Sequence, residues 1–251
     1  MKFVDLKKQY LKYKSEIDCA IHNVIENTAF INGPDSTAFE NELEEFSGAK
    51  HALGCSSGTD AIVIAMMAIG VKPGDEIIVP AFTFIATAET VAFLGAKPVF
   101  ADVDPVTFNI DPESIEAKIT DKTKGIIPVS LYGQCADFNE INTIAANHNL
   151  WVIEDGAQSF GAEYKSKRSC TLTNVGTTSF FPAKPLGCFG DGGAIFTDDA
   201  DLAEKMRIIL NHGQEKRYHH KYIGLNGRLD TLQAAATETN DAEKLLSFET
   251  E

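Results

Sequence analysis

Trp151-Val152-Ile153-Glu154-Asp155-Gly156-Ala157-Gln158-Ser159 decides the fold. An apolar run of strand length ends on two acids and a glycine, which is how a buried strand stops at a loop. Asp155 closes a strand whose other residues belong inside. A carboxylate there needs a partner, because an unpaired buried charge is costly.

Outward from this strand the same rhythm repeats. Short apolar runs at 52–55, 76–79, 98–101, 125–131, 177–181 and 194–197 read as strands. Helical patterns fall between or after them at 60–69, 86–94, 112–119, 138–148 and 199–210, with two amphipathic helices at 14–27 and 36–47 in front. Continuous apolar strands alternating with helices predict an α/β domain: a mostly parallel, seven-stranded sheet with helices on both faces. Ligands in such sheets bind at the carboxyl ends of the strands. The loops after Cys55, Glu154 and Phe181 are therefore the places to look. No internal repeat or low-complexity linker interrupts the pattern.

Composition narrows the function classes. The 251 residues are 44% hydrophobic and 23% charged, with a formal net charge of -14. Ordinary globular content predicts one large domain with a real core, or one domain and a fragment. The acidic balance disfavours nucleic-acid binding, which relies on basic patches. No uncharged apolar run reaches the length of a membrane span, and the start, Met1-Lys2-Phe3-Val4-Asp5, lacks the apolar core of a signal peptide, so a cytoplasmic protein is expected. Cys19, Cys55, Cys135, Cys170 and Cys188 are odd in number and widely spaced, which suggests neither a disulfide framework nor a metal site.

Three stretches carry chemistry. Cys55-Ser56-Ser57-Gly58-Thr59-Asp60 joins a strand to a helix. Its small residues let backbone N–H groups approach an anion, although an ordinary N-cap turn has the same composition. Asp155 suits a cationic partner such as the ring nitrogen of a cofactor, or else a helix cap or internal salt bridge. In Ser179-Phe180-Phe181-Pro182-Ala183-Lys184-Pro185-Leu186-Gly187 a lysine sits between prolines, with Gly190-Asp191-Gly192-Gly193 close behind; taken alone, this is also how a surface lysine in a turn reads.

Together, and with Pro80-Ala81-Phe82-Thr83-Phe84, these segments resemble the fold-type I pyridoxal-phosphate enzymes, and within them the DegT/DnrJ/EryC1/StrS sugar aminotransferases. The resemblance runs from Phe3 to about Ala235. It implies that Lys184 binds the cofactor aldehyde covalently, and that Asp155 faces the pyridine nitrogen. It also implies that Gln158 contacts the ring hydroxyl region, and that Ser57, Gly58, Thr59 and Ser179 hold the phosphate. An aromatic of the Phe82 segment would stack on the ring. Asn226 would reach the phosphate of a neighbouring subunit, so a homodimer with shared sites is implied. L-glutamate is the implied amine donor and a keto nucleotide sugar the acceptor.

Ser130-Leu131-Tyr132-Gly133-Gln134-Cys135-Ala136-Asp137 and His212-Gly213-Gln214 look most like a subgroup that aminates UDP-2-acetamido-3-keto-glucuronic acid for surface polysaccharides. Tyr218, His219, His220 and Arg228 are candidate sugar-nucleotide contacts, with a solvated helix end as the alternative for the histidine pair. Past Ala235 the match stops and residues 236–251 read as an acidic tail, as in a family member lacking its small C-terminal domain. That raises a non-catalytic cofactor-binding relic as the main rival. A dehydratase of the same family, with histidine for lysine, is disfavoured by Lys184, and nothing positive in the sequence supports a scaffold protein.

Overall fold

The computed structural model describes residues 4–238. Asp5 caps the first helix by accepting the Lys8 N–H at 3.1 Å, and α1 (Leu6–Glu26) starts eight residues before the expected one, with a kink at Tyr13. α2 (Pro34–Ser47) follows, then β1 (His51–Cys55), α3 (Gly58–Ile69), β2 (Glu76–Pro80), α4 (Ala86–Phe93), β3 (Lys97–Ala101), α5 (Pro112–Ala117), β4 (Thr123–Ile126), α6 (Phe138–Asn147) and β5 (Trp151–Asp155). A two-strand hairpin of β6 (Glu163–Tyr164) and β7 (Lys167–Arg168) precedes β8 (Val175–Ser179), β9 (Gly193–Thr197) and α7 (Ala200–Ile209). A second small hairpin, β10 (Gln214–Lys216) and β11 (His219–His220), leads to α8 (Thr231–Glu238).

The seven-stranded sheet has the order β1-β9-β8-β5-β4-β2-β3. The pairs from β3 across to β8 are parallel; β9 alone runs against its neighbours β8 and β1. The expected mostly parallel sheet is present, and β5 lies at its middle. Consecutive residues of the central strands enter different cores, as a period of two requires. Ile77, Val79 and Ile153 pack with Ile64, Met66 and Met206 on the face covered by α3 and α7. Ile78, Ile126 and Val152 pack with Phe138 and Ile141 of α6 on the other. Ala52, Phe180 and Phe196 join Phe39 and Leu43 of α2 in a third cluster.

The strand expected at 125–131 is shorter than its apolar content suggests. Pro128 has no N–H to give to a ladder, and β4 ends at Ile126. The chain nevertheless stays beside β5: Asp155 N–H donates to the Pro128 carbonyl at 2.9 Å and Ser130 N–H to the Asp155 carbonyl at 3.1 Å. A single 3-10 turn, Leu131–Gly133, then turns the chain away, with Tyr132 at φ 54°. The helix α8 runs through the expected boundary at residue 235 to Glu238, burying Ala234, Ala235 and Ala236. The rest of the expected acidic tail lies outside the described residues. Among the described residues no helix is long and apolar enough to cross a membrane.

Candidate active site

The carboxyl ends of β1, β5 and β8 meet around a cavity of about 480 Å³. The three loops singled out by the strand pattern all contribute: Ser57, Gly58 and Thr59 from the first, Asp155 and Gln158 from the second, Ser179 and Lys184 from the third. Thr83, Phe84 and Asp191 complete the wall.

Asp155 is the last residue of β5 and only 5% exposed. Its Oδ2 accepts from Thr87 Oγ1 at 2.8 Å and its Oδ1 from the Ala157 N–H at 3.2 Å. Burial pushes its carboxyl up from the ordinary range, against the two donors and the Lys184 charge, which favour the anion. Lys184 is half-buried across the cavity. Burial holds its ammonium below the usual lysine range, with the nearby Asp155 opposing. A lysine set this way carries more neutral, nucleophilic amine than a surface lysine.

The backbone around Lys184 is fixed by its flanks. Phe180 is fully buried against Phe39 and Phe160, and its carbonyl accepts the Cys188 N–H at 2.8 Å, closing the loop at its base. The Lys184 N–H turns back onto the Phe181 carbonyl at 2.8 Å. Gly187 fits where a Cβ would lie 2.5 Å from the Pro182 carbonyl oxygen.

The first loop forms a cradle with the geometry to hold an anion. Ser57 caps α3, its Oγ accepting the Asp60 N–H at 3.0 Å. The N–H groups of Gly58 and Thr59 at the start of the helix have no intrahelical acceptor, and the helix dipole favours negative charge beside them. The cradle is packed to the limit. A Cβ on Gly58 would lie 2.7 Å from Ser179 Cβ, and one on Gly193 would lie 2.6 Å from the Ser57 carbonyl carbon.

Gln158 is oriented by the backbone opposite. Its Oε1 accepts the Tyr132 N–H at 3.0 Å, which leaves the Nε2 donor for the cavity. Glu154, one residue before Asp155, points to the other side of β5 and is fully buried. It accepts from Ser169 Oγ at 2.6 Å, the Cys170 N–H at 2.8 Å and Ser130 Oγ at 3.2 Å. Burial still pushes its carboxyl up to about 7.

Other sequence candidates fall elsewhere. Phe82 is not among the residues lining the cavity; its ring packs against Phe108 with centroids 5.7 Å apart, and Phe84 of the same segment faces the cavity instead. Asn226 is exposed and bridges the backbone of Asn211. Arg228 pairs its backbone with Cys55, donates from Nη1 to Asn211 Oδ1 at 2.5 Å, and has a buried Nε without a partner among the described residues. His219 and His220 lie on strand β11 rather than at a helix end, with Tyr218 at φ 65° in the turn before them. Tyr218, His219, His220, Asn226 and Arg228 are not among the residues lining the cavity, although the Arg228 backbone pairs with Cys55 just before the cradle. Sequence reading missed Thr87, because nothing in a helical Ala-Thr-Ala run marks a residue that meets an acid 68 positions away.

The family profile described as the DegT/DnrJ/EryC1/StrS aminotransferase family matches residues 12–240. The chain belongs to that family. Aminotransferases of the DegT/DnrJ/EryC1/StrS family use pyridoxal phosphate. A UDP-2-acetamido-2-deoxy-3-oxo-D-glucuronate aminotransferase of Pseudomonas aeruginosa is 59% identical over 94% of this chain and 66% of its own length. A pleiotropic regulatory protein of Geobacillus stearothermophilus is 52% identical over 92% of this chain and 62% of its own length. The chain thus spans somewhat less than two thirds of these two family relatives. The crystal structure of DesV from S. venezuelae in complex with a ketimine intermediate superposes with a TM-score of 0.95 at 39% identity, covering 98% of this chain and 66% of that one.

Proposed function

We propose that the chain is the cofactor-binding domain of a pyridoxal-phosphate aminotransferase that moves an amino group from L-glutamate to a keto nucleotide sugar. A UDP-3-keto-N-acetylglucosaminuronic acid is the proposed acceptor, and surface-polysaccharide synthesis the proposed setting. The observation that carries this reading is the pairing of buried Asp155 with half-buried Lys184 across one cavity whose mouth includes an anion cradle. The 59% identity to the Pseudomonas aeruginosa enzyme supports the choice of sugar.

The residues fit the cofactor. Gly58 and Gly193 keep side chains out of the cradle, as a phosphate held by backbone N–H groups requires. Ser57, Gly58, Thr59 and Ser179 would hold that phosphate. Asp155, an anion short of a full complement of donors, would keep a proton on the ring nitrogen. The Gln158 amide donor would meet the ring hydroxyl, and the aromatic of the 82–84 segment would cover the ring. When bound, pyridoxal phosphate supplies an electrophilic carbon and an electron-withdrawing ring. Lys184 Nζ would anchor it covalently and, once freed by the donor amine, would take the proton from substrate Cα and return it as general acid. The lowered ammonium of Lys184 makes that exchange easier than at an ordinary surface lysine.

The second part of the proposal is a homodimer. Phe84 and Ile85 just before α4 and Phe93 at its end are 70%, 59% and 80% exposed, apolar surface that a partner would cover. Tyr218, His219, His220 and Arg228 would then serve a partner's sugar nucleotide, and Asn226 a partner's phosphate. None of the five lines this chain's own cavity, which supports that assignment.

Visible absorbance of the purified chain with pyridoxal phosphate is the test. A saturable band in the wild type that Lys184→Ala abolishes is expected, followed by 2-oxoglutarate release on adding L-glutamate. No band at saturating cofactor sinks the reading.

A further inference from the structure

Asp155 meets the cavity, but half of its hydrogen bonding comes from behind. Thr87 is fully buried in α4, and its hydroxyl donates to Asp155 Oδ2 at 2.8 Å. A carboxylate can only accept, so the single Thr87 proton is committed to it. The Thr87 oxygen keeps its lone pairs, and Thr83 Oγ1, 3.2 Å away on the cavity wall, is placed to donate to it. The Ala157 N–H fixes the other carboxylate oxygen at 3.2 Å. The three contacts hold both oxygens in place before any ligand arrives.

We infer that Thr87 is a positioning residue that keeps the Asp155 carboxylate ionised and aimed at the cationic ring of pyridoxal phosphate, with Thr83 polarising Thr87 from the cavity side. The inference rests on the cofactor reading above. A buried anion with one donor removed is both less stable as an anion and freer to turn. Lys184 and Asp191 are the other charged groups on this cavity, and the Cys170 thiol and Glu154 carboxyl lie behind Asp155. None of these donates a hydrogen bond to Oδ2 in place of Thr87.

The test uses Thr87→Val, which keeps the shape and removes the hydroxyl, beside Thr87→Ser, which keeps the donor. Each full chain is titrated with pyridoxal phosphate, and the pH midpoint of its visible band is measured. Thr87→Val should weaken cofactor binding about tenfold, the scale of one hydrogen bond to a charged group. Its band midpoint should move to higher pH, because a less firmly held ring proton withdraws less electron density. Thr87→Ser should return both toward wild type. A Thr87→Val chain matching wild type in both readouts overturns the inference. So does a Thr87→Ser chain as impaired as Thr87→Val, which assigns the loss to packing. Should Thr87→Val fail to fold, Thr83→Val carries the question from the solvent side: a two- to threefold weakening with the same direction of midpoint shift is expected, and no change overturns the inference. A wild-type chain with no saturable band fails differently, because it removes the cofactor reading beneath.

Discussion

The Tyr132 backbone N–H donates to Gln158 Oε1 at 3.0 Å, and that bond decides which end of the Gln158 amide faces the cavity. Tyr132 reaches it from a left-handed backbone at φ 54°, a conformation non-glycine residues seldom adopt. The arrangement offers the cavity a donor. Gln158→Glu keeps an acceptor for Tyr132 but turns the cavity-facing donor into an acceptor. It should weaken pyridoxal phosphate about tenfold or more, and Gln158→Leu less, because leucine removes a favourable contact without adding a repulsive one. Cofactor titration followed by absorbance orders the variants; an equal effect of the two would refute the donor assignment.

Glu154 makes stability pH-dependent. Its carboxyl stands at about 7 in the fold against 4.5 unfolded, so the fold favours the protonated form. The stabilisation is complete below the unfolded value and is lost as pH rises through the folded one, a change of about 3 kcal/mol across that window. Glu238, pushed up to about 7 by burial and by Glu42 and Asp35, acts in the same sense. Thermal midpoints should therefore fall between about pH 4.5 and 7. Glu154→Gln, whose amide can accept from Cys170 and donate to the serines, should flatten part of that slope. A slope unchanged in the variant would show that Glu154 is not its source.

The packing of β9 against the anion cradle predicts a costly alanine. In Gly193→Ala the new Cβ meets Ser57 and Gly58 backbone at 2.6 to 2.8 Å, atoms that cannot move aside as a flexible side chain would. A loss of about 1–3 kcal/mol in urea unfolding is expected, of the size overpacking costs. The displaced Gly58 N–H should also weaken cofactor binding. Wild-type stability in this variant would contradict the close approach.

The exposed apolar edge of α4 predicts self-association. Sedimentation velocity should find a dimer, and Phe84→Glu with Ile85→Lys should shift it toward monomer by tenfold or more in dissociation constant, since charges in the centre of an apolar interface are left without partners. A chain that stays monomeric at high concentration would exclude the shared-site arrangement.

Most of the fold was legible because its strands announce themselves. The runs at 76–79 and 151–154 are apolar and short, and the helices between them carry their own period. The run at 125–131 misled, because apolar content says nothing of the missing Pro128 donor. The two small hairpins escaped notice for the opposite reason: Glu163–Arg168 and Gln214–His220 hold mostly polar residues in two- or three-residue strands. At the cavity, Asp155, Lys184, Ser57 and Gln158 were readable from motif order. Thr87 was not, since its position depends on how distant segments meet. Within the Phe82 segment, the turn after β2 sets side-chain direction, placing Phe84 on the cavity and Phe82 on Phe108.

Glu154 and Asp155 stand side by side in sequence and on opposite sides of β5 in space, one in a serine lining, the other held by Thr87 at the cavity. A strand slipped by one residue would turn each of them to the opposite face of the sheet. Glu154 would then leave its Ser169, Ser130 and Cys170 donors, and Asp155 would leave Thr87 and the Ala157 N–H. The two acids thus act as a parity check on the central strand: a misaligned sheet is penalised at both sites at once, before any cofactor is bound.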